Sequence, residues 1–309
     1  MTDAPPLVVV AGATATGKTE LAIRIAEAVA FEGRPVAVIS ADSRQVFRGL
    51  DIGTAKATAE DRARVPHHGL DLVDPDESFS VADFADHARG VLATLGGVGG
   101  VGILAGGTGL YLRAVARGID TDALPSDPAV RARLEAELSS EGIAPLAARL
   151  TATAPTLAVT VDLANPRRVV RALEMAELTG DVPRPPALGY RGNVAWLGLT
   201  VAPGAHEDRI AARARAQFDA GLVEEARSLR ERFDPTLPAF SAIGYREAWA
   251  VIDGKVGFEE AIELDAQRNV RFAKRQRTWF RAENSIVWLD ATDALPVSAA
   301  LEAIAPTLS

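Results

Sequence analysis

The sequence predicts an α/β protein: a parallel sheet flanked by helices, with a helical insertion interrupting the chain. Three observations support this. Apolar runs of strand length recur at residues 7–11, 35–40, 101–105 and 194–199, separated by turns and helical patterns, as expected of parallel strands joined by crossover helices. The first run leads directly into Gly12-Ala13-Thr14-Ala15-Thr16-Gly17-Lys18-Thr19, which fits G-x-x-x-x-G-K-[ST] at every fixed position, and a helical pattern follows over 20–30. Between 123 and 193 the strand patterns stop and helical ones take over.

Such a strand, loop and helix define a P-loop NTPase-like architecture. Backbone N–H groups of the loop converge on phosphate oxygens, and the helix N-terminus adds its dipole. Lys18 can then neutralise a phosphate, and the Thr19 hydroxyl is placed to hold Mg²⁺. The loop does not say which phosphate compound it holds.

Composition narrows the field. No Cys occurs in the 309 residues, which excludes disulfides, thiolate catalysis and Cys-containing zinc sites. No apolar run is long enough to cross a bilayer and the N-terminus lacks a secretion signal, so the expected location is the cytoplasm with no membrane partner. The net charge of −8 argues against a nucleic-acid partner until its distribution is considered. Arg268, Arg271, Lys274, Arg275, Arg277 and Arg281 follow one another with no intervening acid, and Arg167, Arg168 and Arg171 form a second basic group. An acidic chain can carry a basic face.

Taken in order, the second strand runs into Ala41-Asp42-Ser43-Arg44-Gln45 at its carboxyl end, where ligands of parallel sheets lie. Asp42 could bind Mg²⁺ through water, cap a following helix or act as a base. Residues 51–56, Asp-Ile-Gly-Thr-Ala-Lys, lack periodicity and read as a surface loop. His67-His68, between Pro66 and Gly69, reads as a loop or turn and not as a metal site, and Ser80 reads as a helix N-cap. The third strand ends in Gly106-Gly107-Thr108-Gly109-Leu110-Tyr111, either a ligand-approaching turn or simply a tight connection to a helix. Helical patterns begin near Ala129 and Pro145 and cover 167–179, stopping at Gly180, and 181–186 is too proline-rich to continue. After the strand at 194–199, helices are expected at 205–218, 222–232, 245–252 and 258–281, and a last strand at 285–289. In the longest helix the positive residues interleave with Phe272, Trp279 and Phe280.

Several segments together resemble the tRNA dimethylallyltransferase family of bacterial type. They are residues 12–19, Asp42-Ser43 with Gln45, residues 51–56, Pro66-His67, residues 106–111, Asn165-Pro166-Arg167-Arg168 with Arg171-Ala172-Leu173-Glu174, Ile243-Gly244-Tyr245, and Ala273-Lys274-Arg275-Gln276 with Thr278-Trp279-Phe280. The resemblance implies transfer of a dimethylallyl group from dimethylallyl diphosphate to the N6 amine of adenosine 37 in tRNA, with Mg²⁺ as cofactor. It implies Asp42 as general base, the loop Gly12, Ala13, Thr14, Ala15, Thr16, Gly17, Lys18 and Thr19 around the diphosphate, and Arg213, one helical turn from Arg209, as a further diphosphate contact. Asp42, Ser43, Arg44, Gln45, Thr108, Arg131, Arg167, Arg168, Arg171, Lys274 and Arg275 would then face the anticodon stem-loop. Residues 1–122 and 194–309 would form the core domain, 123–193 a tRNA-contacting insertion, and the protein would act as a monomer. One departure is that Asn269-Val270 stand where the family has Thr-Arg, with Arg271 one place later.

Three other functions fit parts of the pattern. An ATP-dependent small-molecule kinase shares the loop, but no strand plainly ends in a second Mg²⁺-binding carboxylate unless Asp42 serves. A transferase acting on free adenylate would need neither the insertion nor the basic helix. A non-catalytic RNA-binding protein leaves the phosphate loop unexplained.

Overall fold

The structure, a computed structural model, describes residues 4–121, 125–183 and 186–309; the expected start of the insertion at 123 and Arg184-Pro185 of its proline-rich stretch lie outside the described residues. The chain forms two compact units, one of Met1–Gly118 with Gly189–Ser309 and one of Ile119–Leu188. Along the chain run β1 (Leu7–Gly12), α1 (Lys18–Phe31), β2 (Val36–Ser40), α2 (Ala59–Arg64), β3 (His67–His68), α3 (Val81–Gly97), β4 (Val101–Gly106) and α4 (Gly109–Ala116). The second unit supplies α5 (Pro128–Glu141), α6 (Ile143–Thr153), α7 (Pro155–Ala158) and α8 (Pro166–Thr179). The first unit resumes with β5 (Val194–Thr200), α9 (Pro203–Asp219), α10 (Leu222–Arg232), α11 (Tyr245–Ile252), α12 (Phe258–Arg281), β6 (Ile286–Asp290) and α13 (Val297–Leu308).

The six strands form one parallel sheet in the order β3-β2-β4-β1-β5-β6. Successive strand residues face opposite sides, so Leu7, Val9 and Ala11 of β1 enter one core while Val8 and Val10 enter the other. The first core is closed by α3, α4 and the helices α9 to α12, with Phe84, Leu112, Phe218, Tyr245 and Phe280 inside it; the second is closed by α1 and α13. Cover on both faces explains why β1, β2 and β4 are continuous apolar runs instead of alternating ones.

Local signals set the helix starts. Ser80 accepts the Asp83 N–H and Asp83 returns the bond to the Ser80 N–H, a reciprocal cap that begins α3. In the second unit Asp127 accepts from the Ala129 and Val130 N–H groups, Asn165 accepts from the Arg168 N–H, and Pro128 and Pro166 occupy the first helical turn. That unit buries its own cluster of Leu134, Leu146, Leu150, Leu157, Val169 and Leu173.

Three elements differ from expectation. His67 and His68 form a two-residue edge strand opposite Val38 and Ile39, because an edge position needs pairing on one side only and no apolar run. The C-terminal helix α13 was not anticipated; it buries Ala300 and Ile304 against the sheet, a stripe too small to register in an alanine-rich tail. Residues 51–56 are not a free surface loop. Lys56, with its side chain 1% exposed, donates to Asp51 and Asp71 at 2.6 Å each and to the Phe47 carbonyl, while Glu225 on α10 accepts the N–H groups of Asp51, Ile52 and Gly53. Gly53 fits beneath the Tyr245 ring, where an added Cβ would lie 2.6 Å from it.

At the carboxyl edge of the sheet, the turns after β2 and β4 come into direct backbone contact. A Cβ on Gly106 would lie 2.1 Å from the Ala41 carbonyl oxygen, which accepts the Thr108 N–H at 3.1 Å. The Gly106→Ala substitution is therefore expected to destabilise the protein by about 3 kcal/mol. Guanidinium unfolding measures this, and a loss within a few tenths of that of a surface Gly→Ala control would contradict the contact.

Candidate active site

The site is built where β1, β2 and β4 end. The loop after β1 turns through three residues of positive φ, Gly12 (φ 149°), Ala15 (φ 58°) and Gly17 (φ 90°), the kind of turn that builds backbone anion-binding concavities. Ala15 pays the cost of a left-handed conformation outside glycine, about 1 kcal/mol. The Thr16 hydroxyl closes the loop by donating to the Ala13 carbonyl at 2.9 Å, and Lys18 Nζ donates to the same carbonyl at 2.5 Å. Protein surrounds the Lys18 ammonium; desolvation and then the positive Arg213 draw its pKa down to about 7, while Asp42 opposes them.

Distant helices hold the Thr14 backbone from both sides. Its N–H donates to Gln276 Oε1 on α12 at 2.8 Å, and its carbonyl lies 2.8 Å from His206 Nε2 on α9. Gln276 Nε2 reaches on to the Gly107 carbonyl at 3.1 Å, and a Cβ on Gly107 would stand 2.2 Å from that nitrogen. Gly109 likewise lies against the Trp279 ring, where an added Cβ would come within 2.3 Å. The glycines of residues 106–109 thus make room in turn for a neighbouring turn, an amide and an indole.

Asp42 caps no helix, since the chain turns repeatedly over 43–50. Its Oδ1 accepts the Arg44 N–H at 2.9 Å, closing a local turn, and Oδ2 makes no hydrogen bond among the described residues. Its charge acts on Lys18, Arg213 and Tyr111. The Tyr111 hydroxyl is pushed up to about 12, chiefly by burial, with its ring stacked on Phe84 at 4.1 Å. Arg213 lies in the same desolvated cluster; burial lowers its pKa while Asp42 and Asp265 raise it. Arg209 turns elsewhere, to the Thr292 carbonyl at 2.8 Å.

The other expected residues divide into engaged and exposed. Thr108 Oγ1 accepts the Ser43 N–H at 3.0 Å, and Arg44 donates to the Pro238 carbonyl at 2.9 Å. The Gln45 amide accepts from Ser40 and donates to the Thr54 and Ala55 carbonyls. In the second unit Arg131 and Arg171 both pair with the fully buried Glu174, at 2.9 and 2.7 Å. Arg167 and Arg168 are exposed and make no ion pair among the described residues. Lys274 and Arg275 are exposed on α12, with the Arg275 guanidinium 5.6 Å from the Phe272 ring centroid. Asn269 binds Asp265 at 2.7 Å, Val270 packs beside Ala13 and Ile210, and Arg271 points outwards.

Sequence reasoning gave no role to His206, Gln276 or Glu225, although Gln276 stood within a quoted motif. The described residues hold no group of three or more His, Cys, Asp or Glu side chains suited to a metal. The donor set does fit Mg²⁺ brought by a phosphate ligand, which needs only one or two protein oxygens. The Thr19 hydroxyl, exposed and without a hydrogen bond among the described residues, would supply one.

A glycine-containing loop at the end of the central strand β1, with an acid just after the end of β2, defines an α/β protein with the parallel sheet and loop of the P-loop type. Comparison with known proteins gives the particular family. The IPP transferase family model matches residues 45–283. A tRNA dimethylallyltransferase from Anaeromyxobacter sp. (strain K) is 45% identical over 92% of both chains, and one from Thermus thermophilus is 44% identical over 91% of each. The solved tRNA isopentenylpyrophosphate transferase of Bacillus halodurans superposes with a TM-score of 0.70 at 39% identity, covering 98% of this chain and 96% of its own. The chain belongs to the tRNA dimethylallyltransferase (IPP transferase) family and is a prenyltransferase. No helix among the described residues is long and apolar enough to cross a membrane.

Asp265, 1% exposed on α12, carries a pKa pushed up to about 6 by burial, with its Asn269 hydrogen bond opposing. A raised folded-state pKa favours the folded protein below the unfolded value, and that advantage disappears as pH rises through about 6. Asp265→Asn removes the dependence. Between about pH 4.5 and 7.5 the variant's stability relative to wild type should rise by about 2 kcal/mol. Parallel chemical-denaturation curves for the two proteins would contradict this.

Proposed function

We propose that the enzyme transfers the dimethylallyl group of dimethylallyl diphosphate to N6 of adenosine 37 in tRNA, giving N6-isopentenyladenosine and diphosphate. The observation that carries this is the cluster of Lys18, Arg213 and Asp42, two cations and one acid whose charges act on one another beside the phosphate loop. The cations suit a diphosphate leaving group and the acid suits the incoming amine.

In this mechanism the allylic C–O bond breaks, the N6–C bond forms, and the proton lost from N6 passes to Asp42. An exocyclic adenine amine is a weak nucleophile, so a base that removes its proton as the bond forms assists the attack. The loop N–H groups of residues 12–19 other than that of Thr14, which Gln276 accepts, together with Lys18 and Arg213, stabilise the charge growing on the diphosphate. Mg²⁺ held by Thr19, when bound, supplies further neutralisation of that charge. The adenine must leave its stack to reach the acid. Lys274, Arg275, Arg167 and Arg168, exposed in the two units, are proposed as phosphate contacts, and the helical unit as a tRNA-holding element. Ser43, Arg44, Gln45 and Thr108 are proposed to shape the nucleobase entrance, with Arg131 and Arg171 ordering the helical unit through Glu174.

Incubation with Mg²⁺, dimethylallyl diphosphate and unmodified tRNA should add one C₅H₈ unit to a single adenosine, read by mass spectrometry of the digested RNA. ATP consumption without that product would favour a kinase. Asp42→Asn should slow transfer by about a thousandfold while changing tRNA affinity by no more than a few-fold; a normal rate would remove Asp42 as base. In Thr19→Ala, half-maximal activity should require more Mg²⁺, and an unaltered Mg²⁺ titration would exclude it as a ligand.

A further inference from the structure

His206 is 1% exposed and lies between two partners whose chemistry leaves it one protonation state. The Thr14 carbonyl, 2.8 Å from Nε2, can only accept; the Arg277 guanidinium, 2.8 Å from Nδ1, can only donate. Nε2 therefore carries the proton, Nδ1 the lone pair, and the ring is neutral. Arg277 belongs to α12, the helix that also supplies Gln276 to the Thr14 N–H, so both backbone polar groups of this one residue are tied to α12, one directly and one through His206.

We propose that His206 is a positioning residue that holds the phosphate loop in its anion-binding shape through the Thr14 carbonyl, and that Arg277 fixes the tautomer this requires. The proposal rests on the loop binding the diphosphate group. Protonation of Nδ1 would set one donor against another, and the charged groups acting on His206 are all positive: Arg277 on α12, Lys18 on α1 and Arg209 on its own helix. An imidazolium would lose Arg277 or release Thr14, and the loop would lose one of the two backbone bonds that fix that residue. Burial and these cations hold the pKa of His206 below the usual histidine value, so the neutral form persists at neutral pH.

The test is calorimetric titration of the full-length protein with inorganic diphosphate in the presence of Mg²⁺. His206→Leu removes both hydrogen bonds and should raise Kd roughly tenfold. His206→Gln keeps one donor and one acceptor but does not titrate, and should bind within about threefold of wild type near neutral pH. As pH is lowered to the acid limit at which both proteins remain folded, the ratio of wild-type Kd to that of His206→Gln should rise, which simple loss of packing would not produce. Thermal melting checks that each variant is folded. A folded His206→Leu that binds as wild type does, a His206→Gln no better than His206→Leu, or a pH-independent ratio overturns the proposal. Wild type that fails to bind diphosphate overturns the diphosphate reading as well, so the two failures are told apart.

Discussion

The geometry of the site depends on the contact between the Ala41 carbonyl and Gly106. Parallel strands run about 4.8 Å apart, and the turns leaving them normally diverge as side chains intervene. Here no side chain stands between Gly106 and Ala41, and the Ala41 carbonyl accepts the Thr108 N–H instead. Thr108 then accepts the Ser43 N–H, which fixes the residue after Asp42. Two bonds and one missing Cβ thereby orient the acid at the mouth of the loop.

A second constraint acts from the far end of the chain. Thr14 and Gln276 are separated by 262 positions and Thr14 and His206 by 192, yet they meet at the backbone of one residue. The phosphate loop is therefore completed by tertiary packing, not by its local sequence alone. Because α12 also presents Lys274 and Arg275 to solvent, the helix that fixes the loop is the one that bears the exposed basic residues.

What the sequence disclosed follows the range of the physics involved. The phosphate loop, the strands other than β3 and the Ser80 cap are local patterns, and they are where periodicity and spacing indicate. The burial of Lys56 was hidden, because an Asp-Ile-Gly-Thr-Ala-Lys segment has loop composition whether or not Glu225 and Asp71 close around it. The engagement of Arg131 and Arg171 by Glu174 was equally hidden, since a basic residue looks the same in sequence whether it faces solvent or an internal acid. His206 gave no signal, as its partners lie on other elements.

The most direct measurement is a crystal structure with Mg²⁺, an unreactive analogue of dimethylallyl diphosphate and an unmodified anticodon stem-loop. The expected result is the diphosphate within residues 12–19, contacted by Lys18 and Arg213, and Asp42 Oδ2 at hydrogen-bond distance from N6 of adenosine 37. A diphosphate bound away from the loop, or an Asp42 carboxylate turned from the adenine amine, would contradict it.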